Sequence, residues 1–410
     1  MEQNAPRLRF PGFSGAWEKK KLGDIIVQIK RKDSESKAPV MMISATEGFI
    51  KQSEKYSRDN AGKSLKKYTI LHKGELAYNH GASKIRPYGS SFVLKEKEAR
   101  VPFVYHSFST KDNPEFLEKT LNGRYTQKQL KRVITSGARM DGLLNITFEN
   151  FAKIKVSLPS LPEQEKIADF FSALDEKIDL KEKEIEDVKT LKKGFLQKMF
   201  PQDGKSVPRL RFPGFSGNWE KKKLSTLFEN FDDGDWIESD DQSTSGIRLI
   251  QTGNIGITKF IEKSNHQKWI SKDTFKRLHC KEVFPGDILI SRLPDPAGRA
   301  CIVPPLNVRM ITAVDCTIAR VSNEVLANFI VQYLATPLYF KYVNSFLAGG
   351  TRQRISKNSL ANLYVTIPSL PEQEKIADFF SALDAKIDAM EKQLEDLKEM
   401  KKGFLQQMFI

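Results

Sequence analysis

The sequence predicts an α+β protein in which two globular α+β domains are separated by two long antiparallel helices. These helices are expected to form a coiled coil, with pseudo-two-fold symmetry between the halves. Three observations predict this fold. Two segments of the chain recur almost unchanged, one of them has the period of a long paired helix, and the inserts between them mix short strand-like runs with helices. A length of 410 residues suits two to four domains that each bury a core.

Composition narrows the class of protein. Hydrophobic residues make up 40% of the chain, which disfavours disorder, and the net charge of +15 indicates a polyanionic partner. Three cysteines without CxxC spacing exclude a disulfide framework and a four-cysteine zinc site. The first twenty residues lack a signal-peptide core and no eighteen apolar residues run together, so we expect a cytoplasmic protein without membrane segments.

The first repeated segment is a short box. Residues 6–22 and 208–224 agree at 16 of 17 positions. The second repeated segment, residues 159–200, matches residues 368–409 at 33 of 42 positions. Residues 23–158 and 225–367, which we call the first and second inserts, share no obvious similarity. The alternative is a recent duplication whose loops have since diverged. Repeated segments that are nearly identical beside unrelated inserts instead favour repeated segments that bind one kind of partner twice.

The predicted domains follow from these repeats. Residues 1–158 form the first globular domain with its box, and 159–200 the first helix. Residues 201–367 form the second globular domain with its box, and 368–410 the second helix.

Both long helices carry a heptad seam. A proline and acidic residues at Pro162–Glu165 mark the start of the first long helix, and the apolar residues then recur at alternating steps of three and four. Lys181, Lys192 and Lys401 interrupt the pattern. Packing of each helix on its own domain is the alternative to helix pairing. The residues predicted to pair the helices are Ile167, Phe171, Leu174, Ile178, Ile185 and Val188 in the first copy, with Ile376, Phe380, Leu383, Ile387, Leu394 and Leu397 in the second.

Each insert is predicted to be an α+β domain. In the first, strands are expected at 40–44, 68–71, 75–78, 91–94 and 103–107, followed by a helix through Leu117, Leu121 and Leu130. In the second, strands are expected at 247–251, 287–291, 300–303 and 317–321, with helices at 323–335 and 337–347. The first insert carries a net charge of +11 over residues 24–158, whereas the second carries +2 over 225–367.

No catalytic motif stands out. The GKS sequences at 62–64 and 204–206 lack the first glycine of a phosphate-binding loop, and five histidines form no HxxxH pair. Asp33, Glu35 and Lys37 have the residue types of a metal-dependent nuclease but lie in a polar, loop-like stretch. A self-sufficient DNA methyltransferase or endonuclease with divergent motifs stays open as the alternative function, and so does a coiled-coil scaffold without DNA affinity.

Loops with hydrogen-bonding side chains follow several predicted strands. Arg and Lys suit guanine, Asn and Gln suit adenine, and Ser and Thr suit several base edges. The predicted DNA-binding residues of the first insert are Ser44, Thr46, Tyr78, Asn79, His80, Lys84, Arg86 and Arg139. Those of the second insert are Gln251, Thr252, Asn254, Ser291, Arg292, Arg299, Arg352, Gln353 and Arg354. We expect Arg86 and Arg292 to contact bases.

The boxes LRFPGFSGxWEKKKL and the helix openings SLPEQEKIADFFSALDxKID resemble the specificity subunit of type I restriction-modification systems over essentially the whole chain. This resemblance implies that each insert is a target recognition domain that reads one half of a bipartite double-stranded DNA site. It implies that the helices set the half-site spacing and dock two modification (methyltransferase) subunits, and that motor-nuclease restriction subunits join the full complex. It also implies that the chain is non-catalytic and binds no cofactor or metal itself. S-adenosylmethionine, ATP and Mg²⁺ are then expected on the partner subunits.

Overall fold

The computed structural model describes residues 4–55, 62–134, 143–350 and 353–410. The chain divides into two compact units, each with its own core. The first unit comprises Met1–Lys181 and Gln393–Ile410, and the second comprises Glu182–Lys392. Among the described helices, none is both long and apolar enough to cross a lipid bilayer.

The first unit contains short strands grouped around one four-stranded antiparallel sheet. In that sheet the strands follow the order Ile26–Gln28, His106–Thr110, Leu76–Asn79, Ser90–Val93. Three two-stranded pairs accompany it, namely Glu18–Lys21 with Lys155–Leu158, Met41–Ser44 with Gly48–Lys51, and Thr69–His72 with Glu98–Val101. The helices are Gln52–Lys55, Pro114–Leu121, Arg124–Val133, Phe148–Ala152 and Leu161–Met199, the last of which continues into the second unit.

The second unit repeats this plan. Its first four-stranded sheet has the order Phe228–Asp233, Cys316–Val321, Ile288–Ser291, Ala300–Ile302. A second sheet has the order Gln242–Ser243, Lys268–Ile270, Ile247–Ile250, Met310–Thr312, and Glu220–Lys223 pairs with Tyr364–Ile367. The helices are Lys272–Arg277, Ala327–Tyr333, Pro337–Ser345, Lys357–Ala361 and Leu370–Gln407, the last of which continues into the first unit.

The two inserts therefore share a topology that their sequences do not reveal. In each, the strand after the box lies at one edge of the four-stranded sheet, and the last strand of the insert's sheet lies beside it. Three helices follow in each insert, and then a strand that pairs with the box. Strand pairing depends on the spacing of buried residues rather than on their identity, so unrelated sequences can fill one topology.

The repeated box anchors each insert to the start of its long helix. The guanidinium of Arg9 donates two hydrogen bonds to the carboxylate of Glu163, at 2.7 and 2.6 Å, and a third to the carbonyl of Gly15. Arg211 makes the same contacts with Glu372 in the second unit. Both carboxylates are about 1% exposed, so loss of either arginine would leave a carboxylate buried without its ion-pair partner.

Within each unit, the start of one long helix packs against the end of the other in antiparallel direction. In the first unit the rings of Phe170 and Phe404 lie 5.1 Å apart, and Asp175 pairs with Lys401. In the second unit Phe379 and Phe195 lie 5.0 Å apart, and Lys192 pairs with Asp384 at 2.5 Å. Two of the lysines that interrupt the heptad seam are thus members of equivalent ion pairs.

Several predicted pairing residues have a second role. Ile167 and Phe171 pack into the globular core of the first unit as well as against the C-terminal end of the chain, and Ile376 and Phe380 do the equivalent in theirs. The packing of a helix on its own domain, considered above as an alternative, therefore coexists with helix pairing. Of the remaining predicted residues, the buried ones are Leu174, Ile178, Ile185 and Ile387, and the half-buried ones are Val188, Leu383, Leu394 and Leu397.

The secondary structure differs from the prediction at several places, among them the following in the first insert. The helix expected through Leu117, Leu121 and Leu130 is two helices, because Asn122 ends the first and Gly123 begins the second. The strand expected at 103–107 lies at His106–Thr110. The prediction missed Gly48–Lys51 and Glu98–Val101, two short strands that pair with predicted neighbours.

Candidate nucleic-acid interface

Three loops of each insert occupy equivalent places in the two units. We define the first loop as residues 44–47 in the first unit and 251–255 in the second. The second loop, 80–89 or 292–299, joins the third and fourth strands of the main sheet. The third loop precedes the short helix Phe148–Ala152 or Lys357–Ala361, and we define it by its described residues, 143–147 in the first unit and 348–350 with 353–356 in the second.

The first loop follows a strand that has the same neighbour in each unit. Ile247–Ile250 pairs in parallel with Met310–Thr312, the strand that precedes the long sheet strand Cys316–Val321. In the first unit Val40, just before Met41–Ser44, forms a parallel bridge to Arg100 of the strand that precedes His106–Thr110. The first loops are therefore topologically equivalent.

Hydrogen bonds bring the first and second loops together in both units. In the first unit the side chain of Asn79, immediately before the second loop, donates to the carbonyl of Ile43, immediately before the first loop, at 3.3 Å. In the second unit Arg299 bonds to four carbonyls, two on each loop. These are Thr252 and Ile255 at 2.9 and 2.6 Å, and Leu293 and Pro296 at 2.7 and 2.9 Å.

The second and third loops are joined by the same pair of contacts in each unit. The N–H of Leu144 donates to the carbonyl of His80 at 2.9 Å, and the imidazole of His80 lies 2.8 Å from the carbonyl of Leu144. The N–H of Ile355 donates to the carbonyl of Arg292 at 3.1 Å, and the guanidinium of Arg292 donates to the carbonyl of Ile355. All three loops thus lie at one end of the main sheet.

Six of the predicted DNA-binding residues are buried, which corrects the prediction for them. Each of them already makes side-chain hydrogen bonds to groups of the same unit, and exchanging those bonds for base contacts would leave buried carbonyls unsatisfied. Arg292, 5% exposed, also pairs with Asp233 at 3.2 Å. The buried residues are Tyr78, His80, Asn254, Ser291, Arg292 and Arg299.

Arg86 is half-buried and has a structural role as well. Its Nη1 donates to the carbonyl of Asn122 at 2.8 Å, and burial lowers the pKa of its guanidinium. The bond ties the second loop to the junction between Pro114–Leu121 and Arg124–Val133. The prediction that Arg86 is a free base-contacting group is therefore revised.

The candidate interface consists of the predicted residues that reach the surface. Thr46, Lys84, Gln251, Gln353 and Arg354 are exposed, and Ser44, Asn79 and Thr252 are half-buried. Arg354 lies 3.6 Å from Asp315 with 58% of its side chain exposed. The predicted residues Arg139 and Arg352 lie outside the described residues.

Sequence reasoning missed two features of this region. The first is the acidic pair Asp232-Asp233, which binds cationic side chains near the loops of the second unit. Burial alone would raise the pKa of Asp232, but hydrogen bonds from Lys281 and Lys357, at 2.7 and 2.9 Å, lower it to about 2. The doublet Asp232-Asp233 at the end of a strand was the available signal. The second is the helix Arg124–Val133, whose cations recur at helical spacing.

Groups able to do chemistry are few in the described part of the chain. There, no three His, Cys, Asp or Glu side chains are grouped so as to hold a metal ion. Asp33, Glu35 and Lys37 are exposed. The three cysteines are buried, and desolvation raises the pKa of Cys280 to about 11 and that of Cys301 and Cys316 to about 12, so these thiols are poor nucleophiles at neutral pH.

Comparison with known proteins adds three findings. The model of the family described as "Type I restriction modification DNA specificity domain" matches residues 15–190 and 216–399, once in each half. The chain is 23% identical to the type I restriction enzyme MjaVIII specificity subunit of Methanocaldococcus jannaschii, over 95% of this chain and 91% of that protein. It is 24% identical to the putative type I restriction enzyme MjaX specificity subunit of the same organism, over 98% and 95%.

Solved structures show the same fold. A type I restriction-modification S subunit from M. genitalium superposes with a TM-score of 0.58 at 15% identity, covering 99% of both chains. A chain from a study of complex assembly and conformational transition of the type I R-M system gives 0.57 at 19% identity, covering 98% of both.

Proposed function

Because the chain belongs to the family of type I restriction modification DNA specificity domains, we propose that each of its two units reads one half of a bipartite double-stranded DNA target. The chain is a DNA specificity subunit, the recognition component of a type I restriction-modification system and not its catalytic component. The division of the target between the two units is our proposal.

One observation carries this proposal. Each insert, although unrelated in sequence to the other, places three loops at the corresponding end of its own main sheet. The exposed side chains of those loops differ between the two units. The first unit offers Thr46 and Lys84, whereas the second offers Gln251, Gln353 and Arg354. A common scaffold with different donors and acceptors suits two readers of different base sequences, because bases are told apart in the major groove by their donor and acceptor patterns.

The repeated parts of the chain support the proposal for the protein partners. The boxes and long helices are nearly identical in the two halves, and their internal contacts are equivalent down to Arg9–Glu163 and Arg211–Glu372. Two equal surfaces suit two copies of one partner. We propose that these surfaces dock two modification (methyltransferase) subunits and that the paired helices set the distance between the half-sites.

The remaining components belong to partners in this proposal. Motor-nuclease restriction subunits join the full complex, and S-adenosylmethionine, ATP and Mg²⁺ are bound by the partner subunits. The complex acts on cellular DNA, so we place it in the cytoplasm.

An exchange of inserts tests the division of the target. Cells would express the chain with its modification subunit, and methylome sequencing would identify the modified bipartite sequence. Replacing the first insert, residues 23–158, by the equivalent insert of another specificity subunit should change one half of that sequence and leave the other half and the spacer length unchanged. A change in both halves, or modification without sequence preference, would contradict the proposal.

A further inference from the structure

The helix Arg124–Val133 of the first unit carries four cations on one face. Arg124, Lys128, Lys131 and Arg132 fall within an arc of about 100° at 3.6 residues per turn. All four are exposed, and none has an ion-pair partner in the part of the chain that the structure describes. The opposite face packs on the core through Thr126 and Leu130, which are 1% exposed.

The stability of the helix accounts for only two of these cations, because Lys131 and Arg132 lie in the last turn, where the negative end of the helix dipole favours them. Arg124 is its first residue, where the positive end of the helix dipole disfavours a cation, and no acidic residue lies in the first turn. Arg124 with Lys128, and Lys128 with Arg132, are like charges four residues apart, which destabilise a helix. Arg124 and Lys128 gain nothing from the dipole, and four exposed cations on one face without an ion-pair partner among the described residues indicate an external polyanion.

The charged helix flanks the loops of the candidate interface. The side chain of Gln127 donates to the carbonyl of Gly89 at the end of the second loop, at 3.3 Å. Arg86 of the same loop bonds to Asn122, just before the helix begins. DNA held by the loops would therefore have its backbone near this face.

The equivalent helix of the second unit lacks the feature. Pro337–Ser345 has the sequence PLYFKYVNS, with Lys341 as its one cation, and Lys341 pairs with Asp203 at 3.1 Å. Other cations of that insert are paired as well, among them Arg309 with Glu282 and Arg320 with Asp287. The net charges of +11 and +2 for the two inserts agree with this difference.

We propose that the Arg124–Arg132 face binds DNA phosphates beside the first half-site, so that the first unit supplies more of the salt-dependent affinity than the second. The inference rests on the proposed function and adds an anchor that does not read sequence. The face is about 12 Å long, since eight steps of about 1.5 Å separate Arg124 from Arg132. B-DNA presents one phosphate charge per about 1.7 Å of axis, so several phosphates lie within reach.

The test replaces all four cations by glutamine in the full chain, assembled with its modification subunits. Affinity for a duplex carrying the methylome-defined target, and for a scrambled duplex, is measured between about 50 and 200 mM NaCl. The matched control replaces Lys73, Lys95, Lys97 and Lys111 by glutamine, which removes the same charge. These exposed lysines lie at the opposite end of the main sheet, beside Leu76, Val93 and Thr110.

The helix variant should bind both duplexes more weakly, and by the same factor. Its slope of log K against log salt should become shallower by about 0.9 for each phosphate that the variant no longer neutralises, while the control variant changes little.

Equal slopes in the helix variant and wild type, or an equal effect of the control, would overturn the inference. So would dissociation of the modification subunits on gel filtration, which would assign the face to a protein partner. A wild-type complex that does not prefer the target would instead overturn the proposed function. If the four-fold variant fails to fold, Lys128→Gln with Lys131→Gln provides the same comparison at half the expected change in slope.

Discussion

Arg292 and Ile355 of the second unit hold each other through two hydrogen bonds. The N–H of Ile355 donates to the carbonyl of Arg292 at 3.1 Å, and Nη1 of Arg292 donates to the carbonyl of Ile355 at 3.4 Å. His80 and Leu144 occupy the same positions in the first unit. Two chemically different side chains serve one purpose because their common partner is a backbone carbonyl. The residue at this position joins two loops, and the exposed residues of those loops remain free to vary.

The first prediction concerns Arg292→Ala. The substitution leaves Asp233 without its ion pair and removes the hydrogen bonds to the carbonyls of Ile355 and Val314. Unsatisfied buried groups cost about 1–3 kcal/mol each, so the free energy of unfolding should fall by at least about 1–3 kcal/mol. Denaturant unfolding measures the decrease, and discrimination should weaken across the whole second half-site. A change of preference at one base pair with unaltered stability would show that Arg292 contacts a base.

The second prediction concerns Arg354→Ala, a substitution of an exposed arginine in the same unit. Arg354 lies on the third loop with 58% of its side chain exposed, and its nearest carboxylate, Asp315, is 3.6 Å away. A bidentate arginine–guanine contact discriminates by about 1–3 kcal/mol. Competition binding to targets varied one base pair at a time should therefore show relaxed preference at one position of the second half-site. Stability should change by less than about 0.5 kcal/mol. An equal decrease of affinity on every sequence would identify Arg354 as a phosphate contact.

The sequence alone was sufficient for the architecture because the informative signals are local or repeated. Duplication of the boxes and the seam of Phe171 and Phe380 identified the frame. The strands Leu76–Asn79 and Ile288–Ser291 were predicted within one or two residues, since buried strands read as apolar runs. The shared topology of the inserts was not predictable, because different residues fill the same pairing pattern.

The candidate site was predictable only at the level of loops. The first and second loops of both inserts were identified from polar residues after strands, and the third loop of the second insert from polar residues after a helix. The loop around Arg139, predicted as the third loop of the first insert, lies outside the described residues, and residues 143–147 were not predicted. Which side chains reach the surface was not predictable from residue type, since Arg299 and Arg354 differ only in what surrounds them. Arg299 bonds to four carbonyls that come from two loops about 40 residues apart along the chain, and such bonds leave no local pattern.

The third prediction concerns the ion pair between Lys192 and Asp384 in the second unit. Lys192 is 12% exposed and Asp384 also accepts a bond from Gln332, so the pair is partly desolvated. Asp384→Lys places like charges together and should lower the unfolding free energy. Lys192→Asp in the same chain should restore part of that stability, with a coupling energy of about 0.5–3 kcal/mol from the double-mutant cycle. The matched pair Lys189 and Glu391, each more than 40% exposed, should show weaker coupling. Additive effects at Lys192 and Asp384 would contradict a stabilising interaction between the two side chains.

The fourth prediction concerns the pH dependence of stability and follows from His106. Burial, and then the proximity of His80, lower the pKa of His106 to about 4, although a bond to the carbonyl of Ile146 opposes the shift. An unfolded histidine has a pKa of about 6.5, so between these values the unfolded chain binds a proton that the folded chain excludes. The contribution of neutral His106 is complete above about pH 6.5 and is lost as the pH falls to about 4, a total of about 3 kcal/mol.

His106→Phe keeps an aromatic ring beside Tyr78 and Phe148 but cannot titrate. Its stability should be lower at pH 7, because the bond to Ile146 is absent, and should fall less steeply with acid than that of the wild type. Carboxylates titrate in both proteins, so the difference between the two curves of unfolding free energy against pH isolates His106. Parallel curves from pH 7 to pH 4 would show that His106 gains its proton without cost to the fold, and the burial of its ring would then not control acid stability.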